Sequence, residues 1–267
     1  MHYFAGLFDA EGYITLSNKG AFCIGIEMAN EDIPNMFKKQ FGGSIYIRQR
    51  EKRKKTWAWK INSIADQSIN FINSIVDFSH VKNSQLKRLK DYLDQSRQDR
   101  KLTREFTFNS LRLLKQPILE ISHILPSIPK QPTKEFFQWL AGFTDGDGNF
   151  VCNEYIDNRN NRKYFSHQMS IANIFLESIC FINDRIEGSI LTCKRPVNSV
   201  FKWVPNREHE KFVCESIYPF LIIKKKQCEL FLEFIEFPAK ARDIPYPNEV
   251  LSRMYEITHQ IKHLNSL

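Results

Sequence analysis

Apolar positions along the chain switch between two spacings. Residues 4–10 are mostly small or apolar and run into Glu11-Gly12, which reads as a helix with Gly6 and Ala10 four apart on one face. Residues 13–17 and 21–28 alternate apolar with polar around an Asn18-Lys19-Gly20 turn and read as two strands. Asp32, Pro34 and Gly42-Gly43 then supply start, first-turn and stop signals for a helix. Residues 44–50 and 56–61 are two further strands, and Val81-Lys82-Asn-Ser-Gln85 leads into an amphipathic helix. The pattern is helix, strand, strand, helix, strand, strand, helix, helix.

That pattern occurs twice. FAGLFDAEG at 4–12 and LAGFTDGDG at 140–148 match in chemistry at nearly every position. Met28-Ala-Asn30 is echoed by Ile171-Ala-Asn173, and Gly43-Ser-Ile-Tyr46 by Gly188-Ser-Ile-Leu191. Val81-Lys82-Asn-Ser-Gln85 is echoed by Ile223-Lys224-Lys-Lys-Gln227. Strands at 189–195 and 200–204 and a longer polar turn at 157–163 complete the second copy. The expected division is an N-terminal half at 1–96, a linker at 97–133 that is helical around 109–125, a C-terminal half at 134–237, and an extension at 238–267. Two departures from the repeat stand out. Only three residues precede the first motif, so its first turn is expected to fray, and the last 30 residues have no counterpart, with an amphipathic helix expected at 248–262.

Composition narrows the class. An apolar fraction of 42% with 13% aromatics supports a real core, and there is no run of 18 apolar residues and no basic lead followed by an apolar stretch at the N-terminus. Six cysteines lie far apart without close CxxC pairs, as expected of reduced thiols in an intracellular protein. The net charge of +8 is carried wholly by residues 1–116, which hold 20 Lys and Arg against 12 Asp and Glu; residues 117–267 hold 18 against 18. Such an excess suits a polyanion, or is simply a solvated basic face.

The repeated motif carries the chemistry. Small residues at Gly6 and Ala10, and at Gly142 and Gly146, let two helices pack backbone to backbone, so Glu11 and Asp147 project together from their ends. Gly12 and Gly148 are expected to stop the helices in the left-handed conformation that glycine tolerates. Two carboxylates held together repel and raise each other's pKa, and a shared hard cation such as Mg²⁺ removes that penalty. Taken singly, a carboxylate before glycine is usually a helix-end hydrogen-bonding group and spaced small residues are usually packing; the duplication is what favours catalysis.

FAGLFDAEG and LAGFTDGDG resemble the two signature motifs of the LAGLIDADG homing endonucleases, with Phe4 for the first leucine and Glu11 for the last acid. The resemblance spans about residues 3–237 and implies an α+β fold, a monomeric, pseudo-twofold αββαββα duplication with two saddle-shaped antiparallel sheets and the motif helices at the interface. It implies metal-dependent cutting of both strands of a long, asymmetric DNA site, leaving staggered ends with 3′ overhangs. Mg²⁺ is the implied cofactor, with Mn²⁺ or Ca²⁺ substituting in binding. By the same resemblance Glu11 and Asp147 hold metal with the carbonyls of Ala10 and Gly146, Asn30 and Asn173 order water, and Lys82 and Lys224 are pocket lysines. Lys225 and Lys226 compete with Lys224 for that role, an Asn after a strand is often only a cap, and Asp9 and Asp145 read as structural. Organelle introns encode such enzymes, which makes mitochondrion or plastid a candidate compartment.

Strand parity selects a DNA face. If Ile14, Leu16, Trp59, Ile61, Phe201 and Trp203 face the helices, then Thr15, Ser17, Lys19, Glu27, Tyr46, Arg48, Arg50 and Lys60 face outward. In the second half Asn153, Tyr155, Ser166, Gln168, Ser170, Arg195 and Lys202 do so, and Lys194 is a further candidate DNA contact. Arginine matches guanine and Asn or Gln matches adenine in the major groove. The 51–55 turn, with Lys52, Arg53, Lys54 and Lys55, reads as a phosphate clamp or a solvated hairpin tip. The main alternative is a non-cleaving nucleic-acid-binding protein, such as an intron RNA splicing maturase; a purely structural repeat leaves the matched carboxylates unexplained.

Overall fold

The computed structural model describes residues 1–49, 51, 54–116, 130–157, 162–194, 199–237 and 246–266. In the first half α1 (His2–Glu11), β1 (Gly12–Leu16), β2 (Phe22–Met28), α2 (Asp32–Phe41), β3 (Ser44–Arg48) and β4 (Thr56–Asn62) are followed by α3 (Ala65–Ile75), α4 (Asn83–Leu93) and α5 (Arg97–Leu113). In the second, α6 (Lys134–Asp147), β5 (Gly148–Asp157), β6 (Arg162–Asn173), α7 (Leu176–Asn183), β7 (Gly188–Cys193) and β8 (Val200–Pro205) precede α8 (Arg207–Ile217), α9 (Lys225–Ile235) and α10 (Asn248–Ser266). The two antiparallel sheets have the same strand order, β1-β2-β4-β3 and β5-β6-β8-β7. This is the duplicated α+β arrangement that the repeat predicts.

Alternation fixes which face of each sheet is buried. Ile14 pairs with Ile24 and Ile26 with Trp59 in one sheet, Phe150 with Met169 and Ile171 with Trp203 in the other, and all eight side chains are fully buried beneath the helices. The β1–β2 turn closes where expected, with Gly20 at φ +88. Gly42 and Gly43 end α2 at φ +72 and +84, a backbone conformation that a β-carbon makes costly. The long second hairpin extends its strands to Asp157 and from Arg162.

The two halves meet along α1 and α6. A β-carbon at Gly6 would lie 1.9 Å from the Trp139 carbonyl oxygen, and one at Gly142 would lie 2.1 Å from that of Tyr3. The backbones therefore touch at these glycines, and no other residue fits without separating the helices. Glycines 12 and 148 correct an expectation. Both are extended (φ −69, ψ 153 and φ −79, ψ 158), so handedness is not why they are glycine. A β-carbon would instead come within 2.4 Å of the Phe8 side chain and of Thr144 Cγ2, on the last turn of each helix. The first turn of α1 is closed, with Ala5 N–H donating to the Met1 carbonyl and Tyr3 donating its hydroxyl to Asp145 Oδ2 at 2.7 Å.

Helices α5 and α10 revise the reading of the segments after each copy. The helix after α4 spans Arg97–Leu113, beginning twelve residues before the expected stretch at 109–125, of which 117–125 fall outside the described residues. It packs on α4 and β1, just as α10 packs on α9 and β5. The terminal helix therefore has a structural counterpart that sequence similarity does not reveal.

Candidate active site

Glu11 and Asp147 end α1 and α6 side by side, both half-buried. The close approach continues to this level, since a β-carbon at Gly146 would stand 2.4 Å from Ala10 Cβ and 3.1 Å from Glu11 Cγ. Burial lifts the Glu11 carboxyl above the ordinary carboxylate value, and the Asp147 charge lifts it further; Lys224 and Lys82 pull the other way. Burial also raises Asp147, opposed by a hydrogen bond from Asn173 Nδ2 to Asp147 Oδ2 at 2.6 Å and by the two lysines. Asn173 is held for this by accepting the Phe175 N–H on Oδ1 at 2.7 Å. Asn30 does not do the equivalent. Its Oδ1 accepts the N–H groups of Asp32 (2.8 Å) and Ile33 (3.4 Å), so it opens α2 as a cap.

A lysine lies under the end of each motif helix. Lys224 Nζ donates to the carbonyls of Thr144, Asp145 and Gly146 at 2.9, 3.0 and 2.9 Å. Lys82 Nζ donates to those of Phe8 (2.9 Å), Asp9 and Ala10 (3.4 Å). A helix end leaves carbonyls unpaired at its negative pole, and an ammonium there satisfies both needs. Of the three consecutive lysines Lys224 makes these contacts, whereas Lys226 is exposed and bridges Glu229 at 2.7 Å, and Lys225 lies over the Tyr218 ring. Asp9 and Asp145 place the lysines. Asp9 accepts from Ser79 Oγ, His80 N, Lys82 N and Trp139 Nε1, and Asp145 from Tyr3, Ile222 N and Lys224 N. Each aspartate thus ties the loop ahead of α4 or α9 to a motif helix and is spent on structure.

Two clefts are each walled by residues of both halves, and of the two carboxylates Asp147 lines the first. One, about 530 Å³, is lined by Ala10, Lys82, Gln85 and Lys115 from the first half and by Asp147, Asn173 and Phe175 from the second, among others. The other, about 370 Å³, is lined by Met28, Ala29 and Asn30 on one side and Ile223, Lys226, Gln227 and Leu264 on the other. Among the described residues no group of three or more His, Cys, Asp or Glu is arranged as a metal cage. The donor set fits a hard divalent ion that keeps water and phosphate oxygens in its shell: two carboxylates with raised pKa, beside the Ala10 and Gly146 carbonyls, each with a lone pair beyond the lysine contact.

The outward sheet faces carry the expected polar side chains, with differences. Thr15, Lys19, Tyr46, Asn153, Tyr155 and Ser166 are exposed, and Ser17, Glu27, Arg48, Lys60, Gln168 and Lys202 are half-exposed. Several already pair with each other: Arg48 with Glu27 at 2.6 Å, Lys202 with Gln168 Oε1 at 2.5 Å, and Lys60 over the Tyr46 ring. Ser170 is a correction. It points outward but is 2% exposed, a small side chain on a central strand overtopped by longer neighbours. Lys194 is exposed, one residue past β7 and out of phase with the outward Leu191 and Cys193. Arg50, Lys52, Arg53 and Arg195 lie outside the described residues. Lys54 donates to the Ser266 carbonyl at the end of α10, and Lys55 lies over Trp57. Parity applied to every strand residue also gives Tyr13, Cys23, Asn62 and Asn149, which the sequence reading missed.

The largest omission is on α5, whose Arg97, Arg100, Lys101 and Arg104 share one face and line a cavity of about 440 Å³ with Lys19. Among the described residues none of these five cations has an ion pair. The signal was in the sequence as a spacing of three and four in a segment treated as a linker.

No protein-family model matches the chain. A probable intron-encoded endonuclease, Cox1-I1b of Schizosaccharomyces pombe, is 27% identical over 133 residues, covering 49% of this chain and 34% of that protein, so the match spans about a third of the relative's length. Similar solved structures are the meganuclease I-SmaMI bound to an uncleaved DNA target in the presence of calcium ions (15% identity, 98% of each chain, TM-score 0.66) and the LAGLIDADG meganuclease I-AabMI bound to uncleaved DNA (15%, 96% and 97%, 0.66). The I-LtrWI LAGLIDADG homing endonuclease bound to target DNA is a third (17%, 97% and 96%, 0.60). What this chain shares with them at such identities is the fold.

Proposed function

We propose that this chain, which has the fold of the LAGLIDADG meganucleases, is a site-specific endonuclease that cuts both strands of DNA. The observation that carries this reading is the pair of carboxylates on the closest-packed helix ends, each end holding its own buried lysine. The halves at 1–96 and 134–237 each contribute one acid, one lysine and one polar sheet face, which supports a single chain reading two unlike half-sites. Organelle intron encoding, by likeness to the Schizosaccharomyces pombe protein, is the proposed setting.

Glu11 and Asp147, with the Ala10 and Gly146 carbonyls, are the residues that would hold a divalent ion, Mg²⁺ in this reading; bound there, it supplies Lewis acidity for phosphodiester hydrolysis. Lys82 and Lys224 act on the carboxylates through space. Their N–H groups are engaged by the helix carbonyls, so they hold the helix ends closed and favour ionised Glu11 and Asp147. Asn173 fixes one Asp147 oxygen and leaves the other to bind. The outward side chains of the two sheets read base edges and the basic turns and α5 hold phosphates.

The test is a target duplex recovered from a randomised library with Mg²⁺, scored for double-strand cleavage. Binding without cleavage by the intact chain would leave only the non-cleaving alternative.

A further inference from the structure

We propose that Lys115, at the end of α5, is the free cation of one of the two active sites and meets the phosphate backbone there, so that the two strands are cut by unequal centres. This rests on the endonuclease reading above.

The argument begins with which lysines can donate. Lys82 and Lys224 each place Nζ among three helix-end carbonyls, so neither ammonium can turn to a phosphate without abandoning a buried carbonyl. Lys115 lines the same cleft as Lys82 and Asp147, and among the described residues its ammonium has no hydrogen-bond or ion-pair partner. Its position is built. Gln85, itself 3% exposed and three residues after Lys82, donates Nε2 to the Leu114 carbonyl at 3.3 Å, and Leu111 is buried one turn back. Lys115 N–H also donates to the Arg112 carbonyl at 3.3 Å. The turn bearing Lys115 is thereby pinned to α4, the helix that Lys82 immediately precedes.

The other cleft lacks this arrangement. The end of α10 brings Leu264 to it, and its lining lysine, Lys226, is already neutralised by Glu229. A cation lining a cleft that contains a carboxylate attracts the phosphate that the carboxylate repels. Lys115 is itself exposed, and partial burial presses its ammonium toward the neutral form.

The experiment uses the full chain and a target duplex with a different label on each strand. Lys115→Met is expected to slow one strand by about tenfold or more while the other changes little, with a nicked intermediate accumulating in one polarity. Lys115→Arg should restore most of that rate. The slowed strand should be the one slowed by Asn173→Ala, because Asn173 and Lys115 line one cleft. Equal slowing of both strands, or none, overturns the proposal. If the intact chain binds duplex DNA but does not cut it, the endonuclease reading fails alone, and acetylation mapping then decides: Lys115 protected by DNA supports the contact, and Lys115 as reactive as in the free protein overturns it.

Discussion

Asn173 gives its amide to Asp147, while Asn30, at the matching place in the first half, gives its oxygen to the start of α2 and leaves Glu11 without a side-chain donor among the described residues. The two centres are therefore unequal at the carboxylates themselves. Asn173→Ala should raise the Asp147 pKa further, because the lost bond favoured the ionised form, and the pH profile for cutting one strand should move to higher pH. Asn30→Ala should instead cost about 1 kcal/mol of stability through the lost cap and leave strand preference alone. Strand-resolved pH profiles and denaturant melts read the difference; identical behaviour of the two variants would refute it.

Both carboxyls are raised on folding, so the folded chain binds those protons more tightly than the unfolded one. Their contribution to stability is full below the unfolded pKa and is lost as pH rises through the folded pKa. At neutral pH, Glu11→Gln and Asp147→Asn should therefore melt above the parent while abolishing cleavage. Mg²⁺ should raise the parent's Tm, increasingly as pH rises and protons cease to compete, and should do nothing for the double variant. A parent Tm indifferent to Mg²⁺ would remove the metal assignment.

Lys224→Met strands three helix-end carbonyls and should cost about 2 kcal/mol or more as well as slowing cleavage. Lys226→Met, one ion pair on the surface, should lie within about 0.5 kcal/mol of the parent. The reverse order in urea melts would return the pocket role to Lys226.

Charge on α5 gives a test of DNA holding that does not depend on cutting. Replacing Arg100, Lys101 and Arg104 by Gln should lower the slope of log affinity against log salt by about 2 to 3 if each meets a phosphate. Sequence preference should not change. An unaltered slope would make α5 an ordinary solvated helix.

Gly6→Ala sets a methyl group against the Trp139 carbonyl and should destabilise by about 3 kcal/mol or more, beyond the usual range for overpacking because backbone cannot yield as a side chain does. Retention of normal stability would show that the two motif helices can part.

What was legible in the sequence was whatever repeats locally. The paired motifs disclosed the duplication, the carboxylates and the lysines, and alternation disclosed the sheet faces, because each depends on residues close together in the chain. What was not legible depends on distant neighbours. Ser170 is covered by strands on both sides, Asn30 and Asn173 diverge through different surroundings after the same Ala-Asn pair, and Gly12 is glycine because of Phe8 and not because of φ. The α5 and α10 helices share a position without sharing a motif, so only packing reveals them as equivalents.

Because each cleft is walled by residues of both halves, Lys82 facing Asn173 across one and Gln227 facing Asn30 across the other, exchange of a half with that of a relative does not carry over an intact reaction centre. On the endonuclease reading, preference for bases would belong to each sheet and travel with it. On the same reading competence to cut would be reassembled at the seam, so hybrids that bind as designed yet cleave poorly are the expected failure, and remedying them means matching residues such as Asn173 and Lys115 across the join rather than improving either sheet.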